Sequence, residues 1–189
     1  MDLPWGDEKT KQFITNVGLI TSTGPYGDNI MAAEWTHHIS YSPGLIAVCI
    51  KPVDATHDNI SKTKEFGVNI TSTEQPPLVN IAGGYTGKQI NKISALNELG
   101  FNFYKGNKIK CLMLEGAALN LECKVIKEIS LGDHTMFVGE VLEASLNQDK
   151  EPLAFHKGMY GIVNFDIKKP SQEEREKINQ IVMKYKKDL

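Results

Sequence analysis

The sequence predicts a mainly β fold: a barrel of short strands, small helices tucked between them, and one amphipathic helix at the C-terminus. Three observations carry this. Strand-length apolar runs recur from Val17 to about residue 145, set apart by Gly, Pro, Asn and Asp. Two later runs, 119–129 and 135–145, face each other across Gly132-Asp133, as a hairpin with alternating sides does. Ser171-Gln-Glu-Glu174 has the capping-box form, in which Ser and Glu each satisfy a free backbone N–H of the other. Many short strands favour a closed barrel, since closure removes exposed edges.

In chain order, Val17 to Thr23 is the first expected strand, and Gly24-Pro25-Tyr26-Gly27-Asp28 is a turn. A strand over Asn29 to Ser40 follows, then a corner at Pro43 and a third strand over Leu45 to Ile50. Thr56 suits a helix N-cap, with Asp58 in the first turn, so a short helix is expected from about His57. Gly67 to Ile70 reads as a strand and Thr71 to Pro77 as a loop. Leu78, Val79, Ile81 and Ala82 fit one or two helical turns. Gly83-Gly-Tyr-Thr-Gly-Lys88 reads as flexible. Helical spacing resumes with Ile90, Ile93, Leu96 and Leu99, and Gly100 stands where a helix stops. Strands are expected over 111–117, 119–129 and 135–145. Ile178, Ile181, Val182 and Tyr185 put an apolar stripe on the last helix, which is expected to lie on the body or on a partner subunit.

With 189 residues, 41% of them hydrophobic, the chain can bury one sizeable core. A single domain over 1–189 is therefore expected, with the barrel over about 13–165 and the last helix over about 171–188. A formal net charge of −2 gives no pull toward nucleic acid or an acidic membrane surface. No apolar run approaches the roughly 18 residues of a membrane span. The acidic start, Met1 to Glu8, lacks the pattern of a signal peptide. Cys49, Cys111 and Cys123 have no paired spacing, so neither a disulfide framework nor a zinc site is indicated. A cytoplasmic location is the expectation.

Glu34, Trp35, Thr36, His37 and His38 crowd the middle of the second strand. His37 and His38 point to opposite faces of a strand and cannot share an ion without a bulge, so no metal site is expected. Large aromatics usually fill cores, but Trp35 sits between Glu34 and Thr36, which weakens that reading. At the Thr56 helix, unpaired N–H groups, a hydroxyl, an imidazole and Lys51 could hold an anion. An ordinary capped helix fits the same residues, and the sequence does not choose between them. Gly83 to Lys88 is not a P-loop; it could close over a ligand or be a surface excursion. His134 stands on the lip of the hairpin, and His156 near Gly158 adds nothing. Nucleophile-elbow, zinc-protease and dinucleotide glycine motifs are all absent from the sequence.

Several pieces, taken in order, resemble the flavin reductase-like family of FMN-binding split β-barrels, which includes flavoredoxins and archaeal ferric reductases. They are Leu19-Ile-Thr-Ser22, Asn29-x-Met-x-x-x-Trp35, Ser42-Pro43-Gly-Leu45, Thr56-His57-x3-Ser61, Phe66-Gly-Val-Asn-Ile70, Asn120-Leu-Glu-Cys123 and Gly132-Asp-His-Thr-x-Phe. The resemblance implies a six-stranded Greek-key barrel in a homodimer, with FMN near the subunit interface. It also implies electrons drawn from NADH or NADPH, or from a protein partner in a flavoredoxin-like carrier, and passed to a flavin, iron or protein acceptor.

Carried over by position, Asn29, Met31, Ala32, Ala33, Glu34, Trp35 and Thr36 would line the flavin ring and ribityl chain. Thr36, Lys51, Thr56 and His57 would hold the phosphate, with Ile50 and Asn59 close by. Tyr85, Lys88 and Lys92 would come from a closing loop, and His134 would stand beside the reactive edge of the ring. Three places depart from the family pattern: Glu34 stands where Ser is common, Asn91-Lys92-Ile93 stands for Asp-Lys-Phe, and Lys51 is the only cation near a segment before Thr56 in which an Arg is common.

Overall fold

The computed structural model describes residues 1–187. After a 3-10 turn at Thr10–Gln12 come β1 (Thr15–Asn16), β2 (Gly18–Ser22), β3 (Asn29–Ala33), β4 (Thr36–Tyr41) and β5 (Gly44–Ile50). Helix α1 (Ala55–Thr63) leads to β6 (Glu65–Ile70), α2 (Pro76–Gly84), α3 (Lys92–Glu98), β7 (Phe103–Lys105) and β8 (Leu112–Leu114). The long strands β9 (Leu119–Leu131) and β10 (His134–Leu146) follow, then β11 (Ala154–His156), β12 (Met159–Gly161) and α4 (Gln172–Met183).

The main sheet runs β3-β2-β6-β9-β10-β5-β4, antiparallel throughout. Its edge strands, β3 and β4, are consecutive in the chain with only Glu34 and Trp35 between them. A link this short spans little more than the spacing of two strands, so the sheet must curl until its edges meet. This is the barrel the strand pattern predicts. It has seven strands rather than six because the expected strand over Asn29 to Ser40 breaks at Glu34-Trp35. There the Thr36 hydroxyl donates back to the Ala33 carbonyl (2.9 Å) and Cys49 N–H donates to the Trp35 carbonyl (3.1 Å).

Inside the curl, Ile20, Val48, Ile50, Phe66 and Phe137 are fully buried, and Gly139 leaves room for the Phe66 ring. On the outer face of β2 and β3, Leu19 and Ile30 pack beneath Leu78, Leu96 and Leu114. β2 is therefore buried on both sides, which explains its unbroken apolar run.

Other differences from expectation have local causes. Asp54, not Thr56, is the N-cap of α1, so Thr56 lies inside the first turn and is buried. Part of the expected Thr71–Pro77 loop opens α2, because proline suits the first helical turn. Gly83 and Gly84 end that helix instead of joining the loop, and Gly83 lies close to the Ala32 side chain. The strand expected over 111–117 shrinks to β8, paired with the unanticipated β7. Both faces of the first half of β9 are buried. There Glu122 accepts backbone N–H groups of Asn107 (2.9 Å), Lys108 (2.6 Å) and Ile109 (3.1 Å). A carboxylate satisfied this way can sit in the interior. Burial also pushes the Cys111 and Cys123 thiols up to about 12.

The capping box of α4 forms as the sequence predicts, but no residue of the helix is buried. Residue 188, included in the expected helix, lies outside the described residues. No helix among the described residues is long and apolar enough to cross a membrane.

Candidate functional site

The residues singled out in the sequence gather around the start of β10 and the first turn of α1. Successive residues of a strand point to opposite faces. His134 and Thr135 therefore belong to different groups, separated by the thickness of one strand.

On the outer side, the Trp35 and His134 rings lie 4.6 Å apart, tilted by 44°. The bend that breaks the strand leaves Trp35 53% exposed rather than packed in a core. His134 is hydrogen-bonded through Nδ1 to Asp133 (2.7 Å), which holds the Asp133 carboxyl below the usual carboxylate range, with Lys51 assisting. Lys51 itself is exposed and Glu34 half-buried.

On the inner side, His57 Nε2 and Thr135 Oγ1 are hydrogen-bonded at 2.9 Å, and the imidazole sits edge-on to Phe137 at 5.2 Å. Its Nδ1 is buried without a hydrogen-bond partner; the Asp58 carboxylate, at 3.6 Å, is too far. Asn29 Nδ2 donates to Thr56 Oγ1 (2.8 Å), which leaves the Thr56 hydroxyl proton free for an acceptor. The Asp54 side chain does not cap α1. Uncapped first-turn N–H groups carry the positive end of the helix dipole.

A third group closes over this turn. The backbone at Gly87 lies against the Asn29 amide so closely that no Cβ would fit. Lys88 Nζ pairs with Asp58 (3.1 Å) and lies 5.1 Å from the centre of the Tyr26 ring. The hydrogen bond to Asp58 is the main cause that raises the Lys88 ammonium above its ordinary range. Lys92 is 2% exposed, and its ammonium donates to the Ala82 carbonyl (2.9 Å). Burial brings its pKa down to about 8, against the opposing charge of Asp54. Tyr85 is exposed at the start of the loop.

Some expected contacts fall elsewhere. The Ile50 side chain and Ala33 are in the barrel core, and Met31 packs against it. Ala32 packs on the other side, toward α2. The Thr36 hydroxyl is engaged with Ala33 and stands over Gly18, four residues along β2 from Ser22, the partner of Asn29. The Asn59 amide is fully used, donating to Ser22 Oγ (3.2 Å) and Gly27 O (3.0 Å) and accepting from Tyr26 N (3.0 Å). It thereby pins the turn before β3. His37 and His38 do not splay: the register slips between His38 and Ser40, and their rings lie 4.8 Å apart. Sequence reasoning missed Thr135 and Tyr26, and read Asp58 only as part of the first turn of α1. Only Thr135 had a signal, the alternation that sets it opposite His134.

A family model described as flavin reductase-like domain matches residues 10–164. Among similar proteins, one from Archaeoglobus fulgidus is 36% identical over 117 residues, which span 62% of this chain and 64% of that protein. The ferric-chelate reductase (NAD(P)H) of the same organism is 28% identical over 123 residues, 65% of this chain and 70% of that one. In three dimensions, flavoredoxin of Desulfovibrio vulgaris (Miyazaki F) aligns with a TM-score of 0.75 at 23% identity. That alignment covers 91% of this chain and 98% of flavoredoxin. With the family model spanning most of the sequence and the curled antiparallel sheet in place, the chain belongs to the flavin reductase-like domain family.

Proposed function

We propose that this chain, in the cytoplasm and as a homodimer of single-domain subunits, is an FMN-dependent oxidoreductase that draws electrons from NADH or NADPH. The observation that carries the reading is the first turn of α1. Its N-terminus is uncapped, Asn29 orients the Thr56 hydroxyl, and the buried His57 Nδ1 lacks a partner. A phosphate monoester fits this donor set. In the tautomer in which the Thr135 hydroxyl donates to Nε2, Nδ1 carries the proton and would donate to the anion. Lys92, charged but buried beside Asp54, offsets the carboxylate that would otherwise repel the ligand.

Bound FMN would supply the two-electron chemistry, accepting a hydride from the nicotinamide and passing electrons to a ferric chelate, a flavin or a protein. The Glu34-Trp35 bend offers an exposed aromatic plate for the ring end. His134 flanks that plate and is held in orientation by Asp133. A fixed nicotinamide pocket is not needed, because the dinucleotide can stack on an exposed ring.

The protein as purified is expected to show a flavin absorption band, and anaerobic NADH or NADPH is expected to bleach it. A flavin-loaded protein that neither nucleotide bleaches overturns the enzymatic reading. It would leave the second one, an electron carrier reduced by a protein, which the exposure of Trp35 favours by giving a surface route to the ring. His134→Ala is expected to slow bleaching about 100-fold, within the range of a lost acid, base or orienting group. FMN affinity should stay within about a factor of two. Equal losses in rate and affinity would make His134 a structural residue.

A further inference from the structure

Asn120 and Glu122 belong to a segment picked out in the sequence, yet the flavin reading uses neither. On β9 they alternate with Leu119 and Leu121, which pack against the barrel core. Both therefore point the other way, toward β7, β8 and the loop between them. There they line a cavity of about 440 Å³, with Glu115 and Glu143 also on its walls. No lysine, arginine or histidine lines it, and none of its three carboxylates joins an ion pair among the described residues. None of the residues assigned to the flavin is there either. Ser145, on the cavity wall, lies roughly 35 Å along β10 from His134.

Asn120 is 8% exposed, and its Nδ2 donates to the Tyr104 hydroxyl and to the Leu114 carbonyl, each at 2.8 Å. The Leu114 oxygen can only accept, so the amide cannot be turned round. Its Oδ1 is left as a buried acceptor with no donor among the described residues. Buried polar atoms are nearly always satisfied, so this one calls for a donor from outside the chain.

We propose that this cavity binds an organic polycation, a diamine or polyamine whose N–H groups pair with the carboxylates and supply the donor that Asn120 Oδ1 lacks. A water molecule could satisfy Oδ1 but would leave three negative charges around the cavity unbalanced. A single metal ion does not fit, because no three acidic, histidine or cysteine groups among the described residues come close enough to share one. Charges spaced along a flexible chain suit carboxylates that line a cavity without converging on a point. Each ammonium brings three donors, and its bonds to carboxylates are charge-assisted. The volume lies within the range of small-molecule sites.

The probe is spermidine, titrated at constant ionic strength into isotope-labelled full-length protein and followed by NMR. Saturable shifts are expected around the cavity, the Asn120 side-chain amide among them. Shifts spread over the whole acidic surface, or none at roughly 1 mM spermidine, overturn the proposal. Butylamine, with a single ammonium, is expected to bind at least about tenfold more weakly than putrescine, its two-ended counterpart. Equal affinities overturn the polycation. Glu143→Gln keeps an acceptor for the Asn107 amide but loses the charge, and should weaken spermidine about tenfold. Glu173→Gln, on α4, should change nothing. Equal effects of the two variants, or unchanged affinity in Glu143→Gln with a native-like spectrum, also overturn the proposal.

Discussion

Thr56→Ala combined with His57→Ala is expected to weaken FMN binding about 100-fold while leaving riboflavin binding nearly unchanged. Each residue would give the phosphate one hydrogen bond to a charged acceptor, worth about 1.5–3 kcal/mol. Two such bonds amount to at least the ~3 kcal/mol that a 100-fold change requires. Riboflavin keeps the ring and lacks the phosphate, so it separates a lost anion site from a distorted barrel. The distinction matters because both residues also have structural duties. Thr56 accepts the Asn29 amide, and His57 ties α1 to Thr135 and Phe137 on β10. Titrating both ligands by flavin fluorescence decides the matter. Unchanged FMN affinity, or an equal loss for riboflavin, removes α1 as the phosphate end.

Lys92→Met should raise the stability of the flavin-free protein at pH 7 by about 1–3 kcal/mol and weaken FMN about tenfold. The ammonium keeps its proton up to its ordinary 10.5 in the unfolded chain but only to about 8 in the native one. Below pH 8 both states hold the proton, and the native protein carries the full cost of a buried charge. Between 8 and 10.5 the unfolded chain binds more protons than the native one, so Lys92 makes stability rise with pH across that window. The advantage of the methionine variant should therefore shrink as pH rises from 8 to 10.5. Urea unfolding of both proteins at intervals across the window measures it. A variant less stable at pH 7 would mean that the hydrogen bond to Ala82 outweighs the burial cost, and that Lys92 is kept for structure.

What the sequence makes legible here is local pattern. Alternation across Gly132-Asp133 locates the β9–β10 ribbon, and the Ser171–Glu174 spacing locates α4, since both rest on neighbouring residues. The barrel follows from strand count, but the break at Glu34-Trp35 does not. It is set by where the curling sheet brings its edges together, a property of seven strands and not of two residues. At the site, Asn29, Thr56, His57, Lys88 and His134 are recognisable by type and family position. The interactions that give them their setting join residues far apart in sequence, as with His57 and Thr135 or Asp58 and Lys88. No short-range pattern carries those. Asn59 shows the converse: a polar residue beside the site whose every polar atom is used to hold a turn.

The Lys88–Asp58 pair has a kinetic side. It is the one ion pair among the described residues that ties the Tyr85–Asn91 loop to α1, and both of its side chains are about one-third exposed. Dissolved ions compete for such a pair, and at physiological ionic strength the screening length is about 8 Å. Added salt should therefore loosen the fastening and let the loop open more often. The same salt would weaken the attraction proposed between the α1 turn and a phosphate. Ligand entry and ligand retention would then respond to ionic strength in opposite directions, and the concentration of ordinary salt would set how fast a flavin held there exchanges as well as how tightly it is held.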